Sequence, residues 1–446
     1  MKRLPKGNKK LLNAWAFYDW ANSVYSLVIA STIFPIFYGA LTIVKNEQEE
    51  IISDTVHFMG FQFNNDSLIS YVTALAFLMV AIMSPFLSGI ADYVGNKKNF
   101  LKFFCYLGSI SCIGLFWFNL EELWFGLTCY FFALVGFWAS LVFYNSYLPD
   151  IAFPEQQDKV SAKGFSMGYI GSVVLLILCL VMIMKYEWFG FEGKGFPTRL
   201  SFVLTGLWWM GFSQITYYYL PKGNKKQKLT NDILFNGFRE LKKIWHSLQH
   251  NPQLKKYLRA FFVYSMAVQT VMLIATYFGI EEVNWSGQDA TTGLIVSILL
   301  IQLVAILGAT ITSRISARLG NITTLIIVNI IWIGICVYAF FVKTPFQFYI
   351  AAGLVGLVMG GIQTLSRSTY SKMIPEGTID TASFFSFYDV SEKIGIVIGM
   401  VLYGLVAEVF GSIRFSILFL TGFFLIGVIL LMRVPREHLE PKEETA

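Results

Sequence analysis

The chain contains twelve continuous apolar runs of about 20 residues, and this feature restricts its fold more than any other. A helix rising 1.5 Å per residue needs about 20 apolar residues to cross the hydrocarbon core of a bilayer. Only 14% of the 446 residues are charged, against roughly 25% in an ordinary soluble domain. Because the runs are continuous and not alternating, they exclude a transmembrane β-barrel. The sequence therefore predicts an all-α membrane protein with twelve transmembrane helices.

The longest polar segment divides these predicted spans six and six. The spans cover approximately 13–41, 67–90, 99–118, 123–148, 165–184 and 200–220, then 257–280, 290–312, 322–341, 346–372, 383–410 and 413–433. This division predicts an N-terminal six-helix bundle over 1–220, a cytoplasmic linker over 221–256, and a C-terminal six-helix bundle with a short cytoplasmic tail over 257–446. In the linker, apolar residues at helical spacing predict an amphipathic helix over 232–249, although a calmodulin-type target segment would show the same pattern.

The distribution of basic residues predicts the orientation in the membrane. Of the 34 Lys and Arg residues, 27 lie in segments on the same side as the N-terminus, six lie on the opposite side, and Lys393 lies inside a span. Positive loops stay cytoplasmic, so both termini are expected in the cytoplasm, with the bacterial inner membrane as the location. The cations lie in short loops and form no single basic surface, which excludes a nucleic-acid partner.

Residue types that carry catalysis or hold metals are scarce. The five cysteines lie inside apolar runs without CxxC spacing, so they are interpreted as small buried hydrophobic residues. The four histidines lie outside the spans, and neither HExxH nor a Walker-type GxxxxGK[ST] sequence occurs. We predict no catalytic residues, no metal and no cofactor, although a membrane-embedded enzyme and a non-transporting sensor or assembly factor stay open as alternatives.

The first span contains one ionisable residue, Asp19. A charge at mid-bilayer is costly, so such a residue is a functional candidate by default. Asn22 and Ser23 follow at i+3 and i+4, which gives one helix face three polar side chains. That face must point at a cavity or at other protein groups, because lipid offers no hydrogen bonds.

The eleventh span contains a second charged cluster, made of Asp389, Glu392 and Lys393. Asp389 and Lys393 are spaced i, i+4 in the favourable order for an ion pair within one helix. A self-neutralised structural pair and a functional site both explain this cluster. Coupling of any transport to protons through Asp19, Asp389 or Glu392 is also open, since an apolar environment favours the neutral form of a carboxyl group.

The tenth span ends in a polar face that contains Gln363, Ser366 and Arg367. The Arg367 side chain has two possible positions. It can extend toward the lipid headgroups, or it can bind a carboxylate of the first or eleventh span or of a solute. Helix depths favour a contact with Asp19 or Asp389, because all three residues lie about 8 to 9 Å from the cytoplasmic ends of their spans at 1.5 Å per residue.

The loop between the second and third spans suggests a gate. It contains Gly89, Asp92 and Gly95 and resembles the major facilitator signature loop, which implies a tight glycine turn in which Asp92 binds the N-terminal end of a neighbouring helix, with the eleventh span as the expected partner. Gly95 and Asn96 recur as Gly320 and Asn321, 225 residues later. This and other weak matches predict two parallel six-helix repeats, the arrangement of major facilitator transporters.

Several longer runs carry a family resemblance. They are Tyr18 to Ser23, Phe143 to Asn145 with Leu148 and Pro149, Ser161 to Gly164, Gly361 to Gln363 with Ser366 to Ser368, and Phe384 to Asp389 with Lys393. Together they resemble the unknown major facilitator family, which is grouped with the fungal autophagy-related vacuolar amino-acid effluxer. The resemblance covers all twelve spans. The family tends to have glycine before the lysine of the eleventh span, where this chain has Glu392.

The resemblance implies the major facilitator fold and secondary transport of a small organic solute by alternating access. Amino-acid efflux is suggested for the fungal members, so an amino acid or a peptide is the expected solute class. Two further residues, Tyr144 and Asn145, join the predicted site through the second run that carries the resemblance. We expect the partners to be the solute, the lipid bilayer and protons, and the protein to act as a monomer.

Overall fold

The computed structural model describes residues 4–45, 51–223, 233–285, 289–410 and 412–435. These residues form a helical protein with two small antiparallel hairpins. The helices are α1 (Lys9–Thr42), α2 (Asn65–Val94), α3 (Lys97–Gly114), α4 (Leu123–Asn145), α5 (Pro154–Met184), α6 (Gly195–Tyr219), α7 (Ile233–His250), α8 (Pro252–Glu282), α9 (Ala290–Leu319), α10 (Asn321–Phe341), α11 (Pro345–Met373), α12 (Thr381–Phe410) and α13 (Ile413–Met432).

Eleven of the described helices are long and apolar enough to cross a membrane. The sixth expected span, α6, is 25 residues long but carries several aromatic and hydroxyl side chains, which lower its hydropathy. With α6 included, twelve helices occupy the predicted spans. The remaining long helix, α7, corresponds to the amphipathic helix of the linker and packs mainly against α2, with smaller contacts to α8 and α12.

Two local features differ from the sequence expectation. Helix α5 begins at Pro154, well before the predicted start at 165, because its first turns lie between other helices and not in lipid. Proline suits this position, because an N–H group in the first turn of a helix has no intrahelical acceptor and its absence therefore costs no hydrogen bond.

The segment between α1 and α2 also contains strands that were not predicted: β1 (Val44–Lys45) with β2 (Ile51–Ser53), and β3 (Thr55–Phe58) with β4 (Phe61–Asn64).

The buried apolar side chains form two clusters. The first consists almost entirely of residues from α1 to α6, and the second consists almost entirely of residues from α7 to α13. Contacts of α2 with α12, and of α5 with α9 and α11, join the two groups. We call these groups the N-half and the C-half, and we call the side where α1 begins and α2 ends the N-terminal side. The five cysteines are all buried and free, which confirms their interpretation as core residues.

Candidate functional site

An ion pair between Asp19 of α1 and Arg367 of α11 joins the two halves. The Arg367 Nη1 atom lies 3.2 Å from the Asp19 Oδ2 atom, and both side chains are buried. The guanidinium donates five hydrogen bonds, two to Asp19, two to the hydroxyl and carbonyl oxygens of Ser161, and one to Asn145. The expected contact of Arg367 with an acidic residue is thereby confirmed, and the headgroup position is excluded because only 3% of the residue is exposed.

Aromatic rings surround this ion pair. The guanidinium carbon of Arg367 lies 4.0 Å from the ring centre of Phe165, 4.9 Å from that of Trp15 and 5.6 Å from that of Tyr144. The Tyr144 hydroxyl donates a hydrogen bond of 2.9 Å to Asp19 Oδ2. Cation–π contacts contribute more when the cation is shielded from water, so these rings stabilise the charge of Arg367 where water is excluded.

A glycine of α5 makes room for the pair. A Cβ atom placed on Gly164 would collide with Asp19 Oδ2, and it would lie 3.0 Å from Arg367 Nη2 and 3.2 Å from the Tyr144 hydroxyl oxygen. Helices α1, α5 and α11 therefore approach each other through a position that tolerates no side chain.

A cavity of about 330 Å³ adjoins the ion pair and lies between the halves. Its lining includes Asp19, Asn22 and Ser265, and it also includes Ser26 and other residues of a π-helical segment of α1, Tyr25–Ile33. Irregular helix segments of this kind are frequent at functional sites. Among the described residues, the buried Asn22 Nδ2 and Ser265 Oγ atoms have no hydrogen-bond partner. Asn22 of α1 and Ser265 of α8 therefore each bring a polar group without a hydrogen-bond partner to the lining of the cavity.

The other residues predicted for this site lie near the pair or along the cavity. Ser23 donates to Asn22 Oδ1 at 3.4 Å. The Ser366 hydroxyl lies 2.8 Å from the Tyr264 hydroxyl, and Gln363 Oε1 accepts a hydrogen bond of 2.7 Å from Tyr169. The structure thus brings together the predicted residues of α1, α4 and α11. Ser161, Phe165 and Trp15 also contact Arg367 but were not among the predicted site residues, because their contacts come from distant parts of the chain.

The charged residues of α12 form a separate cluster at the same cavity. Lys393 Nζ lies 3.0 Å from Asp389 Oδ1 and 2.9 Å from Glu392 Oε2. The predicted pair of Asp389 with Lys393 is therefore present, and Glu392 forms a third member that lines the cavity. Arg367 pairs with Asp19 and not with Asp389.

The predicted turn between α2 and α3 closes the N-terminal side. Asp92 accepts hydrogen bonds from the backbone N–H groups of Ala382 at 3.3 Å and Ser383 at 2.7 Å, and from the Ser383 hydroxyl at 2.7 Å. These donors lie in the first turn of α12, which confirms the expected contact with the eleventh span. Gly95 ends α2 in the left-handed conformation, with φ of 69°, which glycine adopts without strain. Gly89 lies buried in the last turns of α2.

A second polar contact closes the same side and was not predicted. Asp158, near the start of α5, forms an ion pair with Lys372 at 2.6 Å and accepts a hydrogen bond from Asn321 at 2.8 Å. Asn321 is the repeat counterpart of Asn96, so this contact involves the corresponding loop of the C-half. The sequence offered no signal for Asp158 beyond its place in a polar segment.

Asp92→Asn is expected to loosen the closed N-terminal side. The substitution removes the charge that holds the start of α12, and a hydrogen bond to a charged group contributes about 1.5–3 kcal/mol. We expect a Cys at the buried position Ser386, in a variant without other thiols, to react about tenfold faster with a water-soluble maleimide. Asp66→Asn at the opposite end of α2 is the matched control. Equal rates in the Asp92→Asn protein and its parent would contradict a closing role.

Comparisons with known proteins agree with this architecture. The family profile described as "Vacuole effluxer Atg22 like" matches residues 7–443. A Bacillus subtilis protein named uncharacterized MFS-type transporter YxiO is 30% identical, and the match covers 98% of this chain and 96% of that protein. Autophagy-related protein 22 of Coccidioides immitis is 24% identical over 98% of this chain and 88% of its own length.

Solved structures show the same fold at low sequence identity. The major facilitator transporter FucP in its outward conformation aligns with a TM-score of 0.67 and 12% identity, covering 96% of this chain and 98% of FucP. The proton:xylose symporter XylE aligns with a TM-score of 0.65 and 12% identity, covering 96% and 95% of the two chains. The prediction of a twelve-helix major facilitator fold is therefore confirmed.

Proposed function

This chain belongs to the Atg22-like vacuole effluxer family and is a membrane transporter, and from that premise we propose that it carries a small zwitterionic solute by alternating access. The observation that carries the proposal is the Asp19–Arg367 pair. It presents one negative and one positive group 3.2 Å apart beside a cavity between the halves. An amino acid, or the end of a short peptide, carries the complementary pair of charges.

The ion pair explains how solute binding and closure would be linked. Opening the N-terminal side separates α1 and α5 from α11, so it breaks the pair between Asp19 and Arg367. Leaving one member of a buried pair without its partner costs about 3–5 kcal/mol. A solute whose carboxylate binds Arg367 and whose ammonium group binds Asp19 offsets this cost. The free energy of binding would then be used to change conformation.

The placement in the membrane is part of the proposal. The protein is an integral multi-pass membrane protein. We place it in the bacterial inner membrane with both termini cytoplasmic, because basic residues are concentrated on the N-terminal side. In this proposal the transmembrane helices of the two halves form bundles over 1–220 and 257–446, the 221–256 linker that contains α7 joins them, and one chain in the bilayer is the transport unit. The proposal assigns transport and no catalysed reaction to the chain.

A thermal-shift screen of the purified protein tests the solute class. Free amino acids, dipeptides and nucleosides are added in turn, because a ligand that binds only the folded state stabilises it by about 2.7 kcal/mol at 100 times its Kd. We expect at least one amino acid or dipeptide to raise the unfolding temperature of the parent protein and not that of the Asp19→Asn variant. The proposal is wrong if only nucleosides stabilise the protein, or if both proteins respond equally to the same amino acid.

A further inference from the structure

The charged cluster of α12 touches the opposite half of the protein, with Asp389 and Lys393 buried and Glu392 partly exposed at the cavity. Lys393 is 1% exposed, and its Nζ atom lies 3.5 Å from the ring centre of Trp138 on α4. Asp389 Oδ2 lies 3.4 Å from the Ser84 hydroxyl on α2. In the part of the chain that the structure describes, the cluster's polar and cation–π contacts with the N-half are one hydroxyl group and one ring.

The cluster contains one more carboxylate than it has cations. Two carboxylates, Asp389 and Glu392, contact a single ammonium group, Lys393. The remaining hydrogen bond to Glu392, a contact of 2.7 Å from Gln269 on α8, comes from a neutral amide. The three charged residues thus have a net charge of −1 in their ionised forms. A net charge held away from bulk water is unfavourable unless a further positive charge binds.

We propose that Asp389 and Glu392 hold one exchangeable proton between them, in a coupling site separate from the Asp19–Arg367 pair. Because coupling presupposes a transported solute, this inference rests on the proposed function. In the binding step, a hydronium ion in the cavity transfers its proton to a carboxylate oxygen. An O–H bond forms on the protein, one O–H bond of the hydronium breaks, and water remains. Release is the reverse reaction, and neither step involves oxidation or reduction.

The geometry favours a proton over a larger cation. The Lys393 ammonium group already occupies the position between the two carboxylates, at 3.0 Å and 2.9 Å from their oxygens. An alkali metal ion at that position would have to displace a covalently attached cation. A proton needs only one carboxylate oxygen, and Glu392 lines the cavity that would bring water to the cluster.

Protonation would act on the contact between the halves. When the cluster carries a net negative charge, Lys393 is held by two carboxylates and rests on Trp138. When one carboxylate is neutral, Lys393 has one charged partner, and its position above the Trp138 ring becomes easier to change. The proton would therefore bias the separation of α12 from α2 and α4.

Among the described residues, two phenols and one guanidinium group also lie near the cluster or its cavity. The phenols of Tyr264 on α8 and Tyr388 on α12 lie near Glu392. Arg367 of α11 lines the same cavity but is paired with Asp19. Three charged side chains of other helices that pack on α12 contact partners outside the cluster: Asp92 of α2 at Ser383, Lys243 of α7 at Asp380, and Arg414 of α13 at Glu282. From α4 the cluster meets the ring of Trp138.

Infrared difference spectroscopy tests the proton site without any solute. The full-length protein in liposomes is titrated from neutral to acidic buffer while the C=O stretching band of protonated carboxyl groups is recorded. Other carboxylates of the chain also protonate in acidic buffer, so we expect the band of the parent protein to contain a component that is lost in Glu392→Gln, since that variant leaves the neutral Asp389–Lys393 pair intact. Glu392→Asp is expected to keep the band at a shifted position, and the exposed Glu281→Gln on α8 serves as the control.

The outcomes separate this inference from the proposed function. Retention of the band in Asp19→Asn supports a separate proton site, whatever that variant does to transport. A band of parental size in Glu392→Gln, or one lost in Asp19→Asn alone, overturns the inference.

A second readout needs no change of charge in the cluster. The contribution of Trp138 to the protein's fluorescence is the difference between the parent and the Trp138→Phe protein. This difference should vary over the same pH range as the infrared band, because Lys393 lies against the Trp138 ring. A difference that does not vary with pH overturns the inference.

Discussion

Asp19→Asn is expected to lower solute transport by about 100-fold or more while the protein still folds and inserts. The substitution removes the only charged partner of Arg367 in the described contacts, and an unpaired buried charge costs about 3–5 kcal/mol. Asparagine keeps the size of the side chain and an oxygen that accepts from Tyr144. Uptake of a labelled amino acid that stabilises the parent protein, measured in proteoliposomes, gives the result.

The controls for this prediction separate binding from coupling. Glu122→Gln changes an exposed carboxylate outside the cavity and should transport at the parental rate. If Asp19 served only in proton coupling, Asp19→Asn would lose accumulation against a gradient but keep exchange of solute for solute. Transport at the parental rate with the same pH dependence would show that Asp19 is a structural residue.

Gly164→Ala is expected to abolish most transport through a single added methyl group. The new Cβ atom would collide with the Asp19 carboxylate and crowd Arg367 and Tyr144. Overpacking of this kind destabilises a packed state by about 1–3 kcal/mol, and here the destabilised state is the conformation in which the N-terminal side is closed. We therefore expect the N-terminal side to open more often and transport to fall about tenfold or more.

Gly211→Ala is the matched control for Gly164→Ala. Gly211 also lies in a membrane helix, α6, but a Cβ atom there would meet no atom within 4 Å. Alanine favours the helix over glycine by about 1 kcal/mol, so this variant should keep transport and gain stability. Equal transport by the two variants would contradict the role assigned to the tight contact at Gly164.

Features that depend on local sequence could be predicted. The apolar runs located the spans because a bilayer requires about 20 apolar residues per helix. Asp19 and Arg367 stood out because charges are rare within spans, and helix depths predicted a contact of Arg367 with Asp19 or Asp389. The turn at Asp92 was recognisable because residues 89–98 resemble the major facilitator signature loop.

Features that depend on distant contacts could not be predicted. Asp158 lies in a polar segment that has the composition of a loop, and it is buried only because Lys372 and Asn321 approach it from the C-half. Trp138 looks like one aromatic residue among many in α4 until Lys393 is placed above its ring. The need for glycine at position 164 follows from three helices meeting there. Periodicity within one helix contains no information on such contacts.

Access to the cavity from each side of the membrane tests alternating access most directly. A single Cys is placed at Ser26, an exposed residue that lines the cavity, in a variant without the five native thiols. A membrane-impermeant thiol reagent is then added to one side of sealed vesicles at a time. We predict modification from both sides, with faster modification from the N-terminal side when Gly164→Ala is present. Modification from one side only, at rates that Gly164→Ala does not change, would contradict the account.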